Sequence, residues 1–294
     1  MQTCPWLSSV IFLVVVAWFL ALAPPALAED VVVTPNKVFR GRVTAADADS
    51  VTIEMLIQGR PQKVAVPRSI IKQLKVEPPP SIIAGIEAYE KGDWRKAKLS
   101  LEKVILNYQG LDVDWAQKGM VYFGRASFFA GDYPKAKRAF TMFLSTYPDH
   151  PLVIEARLGQ AQIEHSEKNY ETALEQFRAL AETFDKQLRP ASTQLPYAAE
   201  IYLGIGKCLD AQDDKSEALD AYVNAIAIYP AERFYPEALY RSSVISAELG
   251  KFDRATNCLS ELIDKYPATE FARKGILLKN SIKQKKAAAE KKAD

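Results

Sequence analysis

The sequence predicts a mainly α-helical chain, a solenoid of about five helix-turn-helix repeats preceded by a small N-terminal β module. Three observations carry that expectation. A composite motif returns five times between residues 78 and 267, period-two patterning is confined to residues 31–76, and Pro78-Pro79-Pro80 stands between the two regions. Proline bars a helix before Ser81 and stiffens the chain as a short polyproline segment, so the boundary is placed there.

The motif is a small residue, an aromatic two positions on, and an alanine three beyond that. It reads Gly92-Asp93-Trp94-x-x-Ala97, Gly131-Asp132-Tyr133-x-x-Ala136, Lys168-Asn169-Tyr170-x-x-Ala173, Asp213-Asp214-Lys215-x-x-Ala218 and Gly250-Lys251-Phe252-x-x-Ala255. A large apolar residue follows each alanine by four: Leu101, Phe140, Phe177, Tyr222 and Leu259. Tyr147-Pro148, Tyr229-Pro230 and Tyr266-Pro267 close three of the units, because proline cannot continue a helix. The alanines are 39, 37, 45 and 37 residues apart. The widest gap holds an insertion, Lys186 to Pro196, either a functional edge loop or a tolerated one. Lys215 in the aromatic slot predicts a looser turn in the fourth unit.

This pattern resembles the tetratricopeptide repeat, a unit of two antiparallel helices. The small residue that the family keeps in its first helix is matched by Gly85, Gly124, Ala161 and Gly206, and is Ser243 in the fifth unit. On this reading the small residue faces the alanine of the second helix, and the aromatic fills the gap to the next repeat. No unit buries its own apolar face, so neighbours must stack to supply a core.

Residues 29–77 read differently. Val38, Arg40, Arg42 and Thr44 alternate with Phe39, Gly41 and Val43; Ser50 to Ile57 forms a second run; and Gln62 to Val66 a third. The turn signal Gln58-Gly59-Arg60-Pro61 separates the last two. Three or four strands are expected, similar in pattern to SH3-like or Sm-like modules and too small to be stable without packing on the first repeat. A docking or structural role is expected for it.

Val10 to Leu22 is uncharged and apolar and is followed by Pro24-Pro25 and Ala26-Leu27-Ala28. Residues 1–28 therefore read as a secretory signal peptide, with retention as an N-terminal membrane anchor as the alternative. The mature chain would keep Cys208 and Cys258 on helices of different repeats. A formal net charge of +2 argues against a nucleic-acid partner. The excess sits at the end: residues 268–294 read as a capping helix and a basic tail, for which weak contact with anionic lipid is one expectation and a solvated end the other.

Catalytic and metal motifs are absent from the sequence. His150 and His165 have no partner at metal-ligand spacing, and Gly204-Ile205-Gly206 lacks the third glycine of a phosphate loop. No catalytic residue, no metal and no cofactor is expected, and the chain is expected not to be an enzyme. The family resemblance implies that the first helices line a concave groove. Its register offers Arg125, Phe128, Gln162, His165, Lys207, Asp210, Tyr240 and Arg241 as partner-binding residues. The Tyr-Pro endings followed by Ala-rich helices are similar to periplasmic Tol-Pal-associated and outer-membrane-assembly repeat proteins of diderm bacteria. That likeness implies a secreted, periplasmic scaffold with a protein or peptide partner in the cell envelope. The alternative is a structural wall- or membrane-associated protein whose β module makes the contact.

Overall fold

The computed structural model describes residues 29–186, 195–227 and 233–293. The expected signal segment, most of the Lys186–Pro196 insertion and Tyr229-Pro230 lie outside the described residues. Five strands come first: β1 (Asp30–Val33), β2 (Val38–Ala46), β3 (Ser50–Ile57), β4 (Arg60–Pro67) and β5 (Gln73–Lys75). The helices follow as pairs: α1 (Pro80–Glu90) with α2 (Trp94–Asn107), α3 (Asp114–Phe129) with α4 (Tyr133–Thr146), and α5 (Val153–Ser166) with α6 (Tyr170–Asp185). After them come α7 (Leu195–Ala211) with α8 (Lys215–Ala227), α9 (Tyr235–Glu248) with α10 (Phe252–Lys265), and the unpaired α11 (Glu270–Ala293).

The strands form one antiparallel sheet in the order β4-β3-β2-β1-β5. Gln58 and Gly59, both at positive φ (52° and 76°), make the two-residue turn that sets Ile57 opposite Arg60. Five strands replace the expected three or four. β1 and β5 escaped notice because four and three residues are too short to show an alternation. Yet β1 is an interior strand, paired with both β2 and β5, and its Val32 is fully buried. The buried Asp30 carboxylate accepts hydrogen bonds from Val43 N (2.8 Å), beside the bulge in β2, and from Glu77 N (3.0 Å). It thereby ties the sheet to the proline segment.

The module's core runs on into the helices. Val43, Val51 and Ile53 belong to the same apolar cluster as Leu101, Phe140 and Phe143. The seam is the loop between α2 and α3, across both of the first two repeats. Gly110 N donates to Ala46 O (3.3 Å), and the Trp115 indole N–H to Val76 O (2.9 Å). A side chain on Gly110 would run into the Asp47 carbonyl, so glycine is required there. Tyr147, the tyrosine of a Tyr-Pro ending, reaches back and donates to Leu111 O (2.8 Å), holding that loop.

Each pair is joined by the same turn. Gly92, Gly131, Lys168, Asp213 and Gly250 all take positive φ, between 65° and 78°. The next residue's N–H reaches back to the first helix in every case: Asp93 to Ala88 O, Asp132 to Ser127 O, Asn169 to Glu164 O, Asp214 to Leu209 O and Lys251 to Ser246 O, at 2.7–2.9 Å. This left-handed helix ending satisfies carbonyls that the helix leaves free. The fourth turn is therefore not looser than the rest. Lys215 leaves the turn's backbone untouched and binds Asp210 (2.6 Å) and Glu248 (3.3 Å) instead.

Two packing expectations are corrected. The small residue of the first helix meets the large apolar residue of the second, not the alanine. Gly85 faces Leu101, Gly124 faces Phe140 and Gly206 faces Tyr222. Among the aromatics after the turn, Trp94 does cross to the next repeat, stacking on Phe129 (4.5 Å), whereas Tyr133 and Tyr170 meet Phe128 and His165 of their own repeats.

Two stability predictions follow from these backbone constraints. Gly110→Ala is expected to lower stability by about 1–3 kcal/mol, because the added methyl forces two backbones apart. Lys168→Gly is expected to raise it by about 0.5–1 kcal/mol, since a left-handed conformation strains a side chain that carries Cβ. Denaturant unfolding of both variants checks the pair.

Candidate partner-binding groove

The first helices approach one another along one face, α1 to α3, α3 to α5 and α5 to α7, and α9 meets α11. Among the described residues no pair of second helices lies that close, so the first helices form the inner, concave layer. Between α7 and α9 the close approach lapses. There the face opens into a cleft of about 310 Å³, whose walls include Phe128, Phe129, Gln162, His165, Lys207, Phe234, Glu237 and Arg241.

The floor beside this cleft is a buried charge network centred on Arg125, which is 2% exposed. Its guanidinium pairs with Glu200 (3.0 Å), donates to Gln162 Oε1 (2.5 Å) and lies 3.9 Å from Glu155. Gln162 in turn donates to Glu200 (2.7 Å). Glu155 accepts from the Tyr197 hydroxyl (3.1 Å) and from Tyr89 (3.5 Å). Four first helices are thus joined through one arginine. Stacking adds to it: Tyr89 lies on Tyr122 (3.9 Å between centroids), and Arg125 over the Phe129 ring (5.2 Å).

Burial sets the protonation of this layer. Desolvation pushes the Glu155 carboxyl above the ordinary range, against the pull of Arg125. Burial also works against the charge on Arg125, but Glu200, Tyr89 and Glu155 outweigh it and hold the guanidinium charged. His165 is held below the usual imidazole range by burial, then by Lys207 and Arg241, with Glu237 opposing. It stands on the cleft wall in surroundings that favour the neutral ring. Lys207 and Arg241 share Glu237, at 2.8 and 2.9 Å.

Of the eight residues taken from the family register, Phe128, Gln162, His165, Lys207 and Arg241 come together around the cleft. Arg125 does not reach its surface: at 2% exposure it is spent on the network beneath, a correction to its expected role as a contact. Asp210 lies outside the cleft lining and is held by Lys215 (2.6 Å). Tyr240 turns instead toward Phe271 of α11, 5.9 Å between ring centroids. Glu200 and Glu237 were missed, although they lie seven residues before Lys207 and four before Arg241, on the same helix faces. Arg233 and Phe234 precede α9 in a connecting segment, where no periodicity marks them. Cys208 is a free buried thiol and Cys258 a free, half-buried one. Among the described residues no group of three His, Cys, Asp or Glu side chains could hold a metal ion.

Two family models match, both described as tetratricopeptide repeat, over residues 123–192 and 237–269. Solved structures similar to the chain include MamA from AMB-1 (15% identity, 65% of this chain and 92% of that one, TM-score 0.42). Others are MamA 41-end from Desulfovibrio magneticus RS-1 (14%, 65% and 98%, TM-score 0.46) and a further crystal structure of MamA (16%, 62% and 93%, TM-score 0.45). No curated protein matches the sequence.

The network yields two predictions. Arg125→Met leaves Glu155 and Glu200 buried without their counter-charge and is expected to cost about 3–5 kcal/mol in denaturant unfolding. Glu155→Gln should act in the opposite direction, and only above acidic pH. A carboxyl whose pKa is raised by folding contributes stability below its unfolded value, about 4.3, and loses that contribution as pH rises through the folded value. The Gln variant should therefore melt higher than the wild type at pH 8, with the difference closing by pH 4.

Proposed function

We propose that this tetratricopeptide-repeat protein is an exported, periplasmic scaffold that holds an extended segment of an envelope protein against its first-helix face. The repeats make it a protein–protein interaction scaffold; the compartment and the kind of partner are the further reading. One observation carries it: the cleft opened between α7 and α9 combines aromatic walls with polar groups set on a rigid floor. Phe128, Phe129 and Phe234 offer apolar anchoring surface, while His165, Lys207, Glu237 and Arg241 offer hydrogen bonds that fix orientation. Such a mixture suits a peptide bound by a few anchors. The work assigned to these side chains is recognition, with no bond made or broken.

Export is read from the Ala26-Leu27-Ala28 site, and the protein recovered from its producing cell should begin at Glu29. Recovery of chains that begin at Met1 would favour the anchored form.

A second reading gains support from a larger cleft, about 680 Å³, where Arg40, Arg42 and Glu54 of the sheet face Pro78-Pro79-Pro80. It would make the β module a wall or membrane contact. The module shares its core with the first repeats, so point variants of the whole chain separate the readings better than excised pieces. Crosslinking capture from envelope extract should recover a protein with the wild type and lose it with Lys207→Glu/Arg241→Glu. If that variant keeps the same partner, while Arg40→Glu/Arg42→Glu abolishes binding to isolated peptidoglycan, the groove reading fails and the second stands.

A further inference from the structure

The second helices form the outer, convex layer, and the repeat register allows their outward positions to be compared. Counting from the motif alanine, the residues two and nine places on point away from the core in all five repeats, where they are exposed. In four repeats these positions hold Arg138 and Ser145, Glu175 and Glu182, Asp220 and Ala227, and Asn257 and Asp264. In α2 they hold Leu99 and Leu106, 71% and 62% exposed. No other second helix places a large apolar residue at either position.

Seven residues apart, the two leucines lie on one stripe of α2, about 10 Å from each other along the axis. Arg95, Lys96 and Lys103 flank them and are themselves exposed. Among the described residues none of the three forms an ion pair, whereas Lys98, on the inner side, is held by Asp132. The charge continues onto α4, which carries Lys135 (paired with Glu102), Lys137 (paired with Glu164) and Arg138 and no acidic residue, and then reverses. In each of α6, α8 and α10, Asp and Glu outnumber Lys and Arg. Among the second helices the basic character is therefore local to the stretch that carries the leucines; the C-terminal helix α11 is basic as well and serves as the comparison in the test below.

We propose that the outer face of α2, with α4 beside it, is a docking surface for an anionic membrane. Protruding leucines ringed by cations suit insertion into the headgroup boundary, with the helix lying in the plane of the surface and its lysines and arginine among acidic headgroups. A ridge of this shape needs no matching pocket, which a protein partner would have to supply. The groove is on the opposite layer and stays free while the convex face is docked. This inference does not depend on what the groove binds.

The test is vesicle sedimentation of the full chain, as its producing cell makes it, with vesicles of phosphatidylglycerol and phosphatidylethanolamine and with vesicles of phosphatidylcholine. Preference for the anionic vesicles is expected, weakening as salt is raised. Leu99→Ser/Leu106→Ser and, separately, Arg95→Gln/Lys96→Gln/Lys103→Gln should each reduce that preference at least tenfold. Both sets lie on an exposed face, and unchanged melting temperatures would confirm that the fold survives them. Lys283→Gln/Lys285→Gln in the C-terminal helix should leave the preference in place. The proposal is overturned if the wild type shows no preference for anionic vesicles, if only the C-terminal variant removes it, or if the leucine variant instead abolishes self-association or capture of an acidic protein while vesicle binding persists.

Discussion

Phe140 sits where two successive first helices have each given up a side chain: a Cβ on Gly124 or on Gly159 would collide with its ring. That clamp sets the distance between repeats. Farther along each ring meets one such glycine, Phe177 meeting Gly204 of the next repeat and Tyr222 meeting Gly206 of its own. Helices separated by a bulky pair would pack at the ordinary 8–10 Å, whereas a glycine lets a ring replace the missing side chain and draws the axes together. The inner layer is thereby brought into close contact, and from that closeness come both the curvature and the chance for side chains of four helices to meet around one arginine.

The Arg125 network is a consequence of that approach and a constraint upon it. Two carboxylates and one guanidinium are held almost out of water, so each depends on the others for its remaining partners. Such an arrangement is costly to break and poor at adapting, and it fixes the floor of the groove from the first repeat to the fourth. Adaptability is left to the point where it ends. Between α7 and α9 the opening is bridged by the Lys207–Glu237 and Asp210–Arg241 pairs (2.8 and 4.0 Å), and these side chains are partly exposed. A stiff floor beside a looser edge is an economical way to present anchors without ordering them anew for each binding event.

The β module alters what the array can be. With Val43 and Phe140 in one apolar cluster, the sheet caps the first two repeats, covering a surface that a solenoid would otherwise expose at its start. At the other end α11 serves the same purpose, burying Ala272 and Ile282 against the last pair. The outward face of the convex layer between these caps is free of packing duties, which is why its charge and its two exposed leucines can be read as features of function.

Much of this was legible in the residues because repetition multiplies a weak signal. One glycine before an aromatic says little, but five copies of the composite motif in register placed every turn, and the left-handed backbone at Lys168 and Asp213 shows that register outweighs residue type. Five of the eight groove candidates line one cleft for the same reason, since a helix face follows from spacing alone. What spacing does not carry is depth. Arg125 and Lys207 occupy the same register position in different repeats, yet one is sealed beneath the floor and the other lines an opening. The difference arises from acidic side chains on other helices, tens of residues away. The sequence by itself determined the repeats, their turns and the faces of their helices, because those depend on contacts a few residues long. Only the tertiary structure decided which aromatic met which glycine, where the inner layer parts, and how two short strands complete a sheet, because each of those depends on distant residues brought together by stacking.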